Sequence, residues 1–217
     1  MSIRGLLFDL DGVIVDTAKY HYIAWKEITK ELGINFTLDD NERLKGVSRL
    51  RSFEIILEIG GITMDPQTHE EYCEKKNKIY LSYINKMGED EILPGVKEFI
   101  IDAKEKGYKI ALGSASKNSI TILKRLNLME YFDAIVDGTK VSKAKPNPEV
   151  FINGARELGL EFHECLVFED SVAGIDAAHN CGIKAVGVGP KELLPKSDIN
   201  IDGFEGISIK ILEKELV

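Results

Sequence analysis

Gly5-Leu6-Leu7-Phe8-Asp9-Leu10-Asp11-Gly12 is the stretch on which the reading of this chain turns. A short apolar run meets two carboxylates and an Asp-Gly pair, the pattern of a buried strand that ends in a turn with its polar residues at the carboxyl end. Open parallel sheets place their chemistry at that end. Asp9 and Asp11 are two residues apart and would share one face of a fully extended strand. Two carboxylates so close repel by about 4 kcal/mol at an effective dielectric of about 20. A hard divalent cation such as Mg²⁺, which takes carboxylate, phosphate and water oxygens, would relieve that repulsion. A solvated strand-to-turn corner is the other reading of the same four residues.

The rest of the chain builds on this strand in two styles. Thr17 to Leu32 is amphipathic, with Tyr20, Ala24, Ile28 and Leu32 four apart and Gly33 as its stop. The stretch beginning at Asp39-Asp40, Arg51 to Ile59 and Pro66 to Met87 also favour helix, and nothing among them alternates like a strand. From Glu89 helix and strand alternate. Helices are expected at 94–106, 117–127, 148–158 and 172–181, with strands at 108–113, 132–137, 164–168 and 183–188. That alternation predicts a doubly wound, Rossmann-like α/β core with a parallel sheet and right-handed crossovers. Residues 1–14 and 89–217 would form the core, and 15–88 an inserted helical cap domain.

Bulk properties narrow the partners. The 217 residues are 44% apolar and 29% charged, with a net charge of −8, and no basic stripe suggests nucleic acid. Cys73, Cys165 and Cys181 lack metal spacing and read as reduced thiols. With no apolar leader and no run of about 18 apolar residues, the expectation is a cytoplasmic protein with no membrane partner, acting as a monomer.

Read whole, Asp9-Leu10-Asp11-Gly12-Val13-Ile14-Val15-Asp16-Thr17 resembles the first motif of the haloacid dehalogenase superfamily. Three further motifs of that superfamily have counterparts in order: Ile110-Ala111-Leu112-Gly113-Ser114, Lys145-Pro146-Asn147-Pro148 and Leu166-Val167-Phe168-Glu169-Asp170. The resemblance implies phosphoryl transfer through an aspartyl-phosphate. It makes Asp9 the nucleophile, Asp11 the general acid and base, Ser114 a donor to the phosphate, and Lys145 the cation that neutralises both. Mg²⁺ would be held by Asp9, Asp170 and the main-chain carbonyl of Asp11, with Glu169 as a further ligand or a neighbour of the ligands. An Asp at position 11 favours phosphoester chemistry over the carbon–halogen and carbon–phosphorus cleavage of relatives that lack it. Outside this set Lys145 would read as a surface lysine before a turn.

A finer resemblance lies in the cap. Leu44-Lys45-Gly46-Val47-Ser48-Arg49 with Ser52, Thr17 with His21 and Trp25, Lys76-Asn77, and Ser114-Ala115-Ser116-Lys117-Asn118 all look like segments of β-phosphoglucomutases. The likeness implies contact with a small sugar phosphate through Thr17, His21, Trp25, Lys45, Gly46, Val47, Arg49, Ser52, Lys76, Ala115, Ser116, Lys117 and Asn118. Arg49, Ser116, Asn118 and Lys117 would hold a second phosphate. β-Glucose 1,6-bisphosphate would be both activator and intermediate. Ser116 also reads as an ordinary helix cap, and the cap loop as a solvated connection. A sugar-phosphate phosphatase and a catalytically silent sugar-phosphate binder are the rival functions. Arg51 and the tail after Pro190 match no part of either resemblance.

Overall fold

The computed structural model describes residues 3–44 and 47–215. Six strands, β1 (Gly5–Phe8), β2 (Lys109–Gly113), β3 (Ala134–Val136), β4 (Cys165–Glu169), β5 (Lys184–Val188) and β6 (Ile199–Ile201), form one parallel sheet in the order 3-2-1-4-5-6. The order reverses beside β1, where such sheets open a crevice at their carboxyl ends.

β1 is apolar at successive positions because both its faces are covered. Leu6 and Phe8 join one core cluster with Phe99, Ile100, Ile122 and Leu212, from α5 (Val96–Glu105), α6 (Ser119–Arg125) and α9 (Ile209–Glu215). Leu7 faces the opposite way, into a cluster with Phe151, Ala155 and Ala178 from α7 (Glu149–Leu158) and α8 (Val172–Asn180). The rings of Phe8 and Phe168 stack 4.6 Å apart, and Phe99 and Phe204 close around them. This aromatic group fixes the ends of β1 and β4 beneath the polar residues at their tips.

Between β1 and α5 stand α1 (Ala18–Glu31), α2 (Leu38–Glu42), α3 (Arg49–Gly60) and α4 (Pro66–Ile84). They enclose a cluster of their own, with Trp25, Ile28, Phe36, Phe53 and Ile56 at its centre. Asp65 caps α4 by accepting from the amides of Gln67 and Thr68.

Two expectations need correction. The strand ends at Phe8, so Asp9 and Asp11 do not share an extended face: Asp11 lies in a turn and bridges to Val15. The helix expected from Lys117 begins at Ser119, because the hydroxyls of Ser114 and Ser116 accept the amides of Ser116 and Asn118 and hold that segment as a loop. Residues after Pro190 carry the sixth strand and last helix, with Ile199, Ile201 and Leu212 buried. Arg51 is accounted for as well: it lies on the exposed side of α3 and pairs with Glu54 and Glu58 at 2.9 Å each.

Candidate active site

Parallel pairing sets Phe8 opposite Phe168, so Asp9 and Glu169 emerge side by side from neighbouring strands. Lys145, from the loop between β3 and α7, reaches both: its Nζ lies 2.6 Å from Asp9 Oδ1 and 2.5 Å from Glu169 Oε1. Its side chain is only 4% exposed, so these are strong charge-assisted bonds. Burial pulls the Lys145 ammonium down, but the two carboxylates outweigh it and hold it above its ordinary value.

More than two carboxylates gather around this ammonium. Asp9, Glu169 and Asp170 offer carboxylate oxygens within 4.8 Å of one another. Burial, opposed by Lys145 and reinforced by Glu169, Asp11 and Asp170, pushes Asp9 well above the carboxylate range. A set of hard oxygen donors grouped this closely suits a divalent cation.

Glu169 is held from two sides. Lys145 takes Oε1, while Oε2 accepts the Ser171 amide at 2.9 Å and its hydroxyl at 2.8 Å. Ser171 also starts α8 by accepting from Gly174. A Cβ on Gly174 would lie 1.8 Å from the Glu169 carboxyl carbon, and one on Gly12 2.0 Å from Asp170 Oδ2. Ser171 and Gly174 are supporting residues that sequence reasoning missed. Ser171 carried a signal, a serine just before an expected helix; Gly174, inside that helix, carried none.

Asp11 faces elsewhere. Its carboxylate stands outside the three-carboxylate cluster and accepts the Thr17 hydroxyl. Burial raises Asp11, against the pull of Thr17, Lys145 and Lys76. Thr17 is fully buried, which places it behind Asp11 rather than at an open surface.

Ser114 follows β2 and is 1% exposed. Ala115, Ser116 and Asn118 are half-buried and Lys117 is exposed. Ser116 does not cap α6 directly, since its hydroxyl accepts from Asn118, the residue before the helix. The Asn118 side-chain amide donates to Asn77 Oδ1 on α4 at 3.1 Å, tying this loop to the four-helix segment.

That segment brings its own cations. Lys76, 2% exposed, donates to Nδ1 of His21 at 2.6 Å, and its Nζ stands 4.9 Å from the Trp25 ring centre and 4.8 Å from that of Tyr80. Burial and then Arg49 push Lys76 down to about 7, against the pull of Asp11. Burial, Lys76 and Arg49 hold His21 well below its ordinary value, so it accepts as a neutral imidazole. Arg49 opens α3 and is half-buried; Val47 is half-buried beside it, while Trp25 and Ser52 are buried. Lys45 and Gly46 lie outside the described residues.

The structure therefore brings together two sets: Asp9, Lys145, Glu169 and Asp170 at the sheet, and His21, Lys76 and Arg49 across from them, with Asp11 bearing on both. No described helix is long and apolar enough to cross a membrane.

The family model for haloacid dehalogenase-like hydrolases matches residues 6–188. A β-phosphoglucomutase of Bacillus subtilis is 39% identical over 214 residues, covering 98% of this chain and 95% of its own. The crystal structure of β-phosphoglucomutase from Clostridium difficile superposes with a TM-score of 0.94 at 38% identity, over 99% of this chain and 97% of that one. A fructose-1-phosphate phosphatase of Escherichia coli is 32% identical over 85% of this chain and 95% of its own. Strand order, the paired acidic strand ends and these matches agree: the chain belongs to the haloacid dehalogenase-like hydrolase family, alongside the β-phosphoglucomutases.

Proposed function

We propose that the protein is a β-phosphoglucomutase, interconverting β-D-glucose 1-phosphate and glucose 6-phosphate through an aspartyl-phosphate and β-glucose 1,6-bisphosphate. The observation that carries this reading is the cationic set on the cap side. Lys76 is buried beside Arg49 with no carboxylate in ion-pair contact among the described residues. A buried ammonium beside a half-buried guanidinium, neither with a counterion in contact among the described residues, calls for an anion, and a second phosphate, the one not being transferred, is the anion a mutase must hold. Likeness to β-phosphoglucomutases along nearly the whole chain supports the same reading.

In this account 15–88 is a cap domain over a core of 1–14 and 89–217. Phosphorylated Asp9 gives its phosphoryl group to the sugar 6-hydroxyl: the bond from phosphorus to Asp9 breaks, one to the sugar oxygen forms, and the hydroxyl proton passes to Asp11. The bisphosphate turns over in the site. Asp9 then attacks the 1-phosphate, and Asp11 returns its proton to the leaving sugar oxygen. Lys145 and Ser114 hold the moving phosphoryl group. Arg49, Ser116, Lys117 and Asn118 hold the other, Arg49 by its two-pronged guanidinium. His21, Lys76, Val47, Ser52, Thr17, Trp25, Ala115 and, outside the described residues, Lys45 and Gly46 shape the pocket for the sugar. Closure of the cap keeps water from the aspartyl-phosphate.

Asp9, Asp170 and the Asp11 main-chain carbonyl would hold Mg²⁺, whose charge, when bound, offsets that of the phosphoryl oxygens. Both oxygens of Glu169 are already engaged, which suits it to fixing Lys145. We take the enzyme to act as a monomer in the cytoplasm. Asp9→Asn should abolish turnover while leaving the fold intact by circular dichroism; appreciable mutase activity in that variant would remove the assignment.

A further inference from the structure

Asn77 lies within the likeness to β-phosphoglucomutases but has no part in the proposed mechanism. It follows Lys76 on α4, where neighbours point about 100° apart around the helix axis. Lys76 reaches His21 on α1, whereas Asn77 meets the loop after β2: its Oδ1 accepts from Asn118 Nδ2 at 3.1 Å. Asn77 and Asn118 are both half-buried.

The backbone of that loop is fixed without Asn77. The Asn118 amide donates to Ser116 Oγ at 3.2 Å, and the Ser116 carbonyl accepts the Gly138 amide at 3.2 Å and the Ser119 hydroxyl at 2.7 Å. A Cβ on Gly138 would lie 2.2 Å from the Ala115 carbonyl oxygen, so the loop rests directly on the backbone after β3. The Asn118 side chain is held differently. A carboxamide carries an acceptor oxygen on one side and two N–H donors on the other, and a phosphate dianion only accepts. One sense of the Asn118 amide therefore attracts a phosphate and the other repels it. Asn77 Oδ1 takes one N–H of Asn118 and so sets the attractive sense, while the second N–H has no partner among the described residues.

We propose that Asn77 is a positioning residue for the second phosphate: by accepting from Asn118 it turns the remaining N–H of that amide toward a phosphate oxygen. Asn77 makes no bond to the phosphate itself and acts only through its partner. This rests on the mutase reading, in which the second phosphate must be held while the first moves.

Asn77→Ala removes the acceptor and leaves the Asn118 amide free to turn. KM for β-glucose 1-phosphate should rise about fivefold to tenfold, the size expected for one neutral hydrogen bond. Turnover at saturation should stay within about twofold of the parent, because that phosphate is held alike before and during transfer. The melting temperature should not change. Phosphoenzyme formation from acetyl phosphate, read by intact mass in a single turnover, should also match the parent, since this donor brings no second phosphate. In an Asn118→Ala background the same change should add nothing. A lower KM in Asn77→Ala would mean that the bond between the two asparagines competes with the phosphate, and an unchanged KM that the amide needs no guide; either overturns the proposal. A matching loss with acetyl phosphate, or a loss that adds to that of Asn118→Ala, would make Asn77 a structural residue. If the unsubstituted protein forms phosphoenzyme from acetyl phosphate but does not isomerise the sugar, the mutase reading fails, and the Asn77 proposal with it; isomerisation at the same KM in parent and variant sinks Asn77 alone.

Discussion

Lys76 donates to Nδ1 of His21 across 2.6 Å, the first on α4 and the second on α1, in a position where the ammonium is nearly sealed from water. Burial and Arg49 bring Lys76 to about 7. Below that pH it is charged and above it increasingly neutral. His21, held low, stays neutral over the same range, Arg49 stays charged, and the neighbouring Cys73 thiol is raised to about 11. A bound phosphate draws the proton back onto Lys76. Glucose 6-phosphate should therefore bind more weakly as pH rises above 7, by up to about tenfold per unit. Calorimetric titrations at pH 6.5 to 9 would show this, and Lys76→Met should flatten the slope; an equal slope in the variant would put the titration elsewhere.

Lys145→Met should expose how much negative charge this one ammonium offsets. Removing it leaves Asp9 and Glu169 buried with no cation between them, a defect that typically costs about 3–5 kcal/mol. Mg²⁺ should then raise the melting temperature of the variant more than that of the unsubstituted protein, and turnover should be lost. A variant as stable as its parent without Mg²⁺ would show that the carboxylates had taken up protons instead.

Gly174→Ala sets two effects against each other. Alanine in a helix interior normally stabilises by about 1 kcal/mol over glycine. Here the added methyl would fall 1.8 Å from the Glu169 carboxyl carbon, and Glu169 is fixed by both Ser171 and Lys145. The clash should win, lowering both the melting temperature and kcat. A stabilised and fully active variant would mean that Glu169 shifts freely and does not hold Lys145.

Arg49→Ala should weaken binding of the bisphosphate by about tenfold or more, while phosphorylation of Asp9 by acetyl phosphate stays near that of the parent. Equal losses in both would remove Arg49 from the second phosphate site.

The strand ends that carry the candidate site were legible in the sequence, where a short apolar run marks the strand and, with it, the position of the polar residue at its tip. Asp9, Ser114, Glu169 and Asp170 stand at such ends; the part assigned to each residue there came through the family resemblance. Ser114, Glu169, Asp170 and Lys145 were picked out through the resemblance, and Lys145 alone has no strand end to mark it. Asp11 was identified but misplaced, since two-residue spacing says where a side chain points only while the strand continues, and β1 stops at Phe8. The last strand and helix were missed because Ile199–Ile201 is too short for its alternation to stand out. Gly174 matters through what packs against it, which spacing along the chain does not reveal.

The central claim is that the phosphoryl group moves between two positions of one sugar without escaping to water. The most direct measurement tracks glucose 6-phosphate, through its dehydrogenase, and inorganic phosphate together, starting from β-glucose 1-phosphate with Mg²⁺ and a trace of glucose 1,6-bisphosphate. Rapid glucose 6-phosphate formation with little free phosphate, and none from the α anomer, is the expected result. Free phosphate as the main product would contradict it and show that the cap admits water.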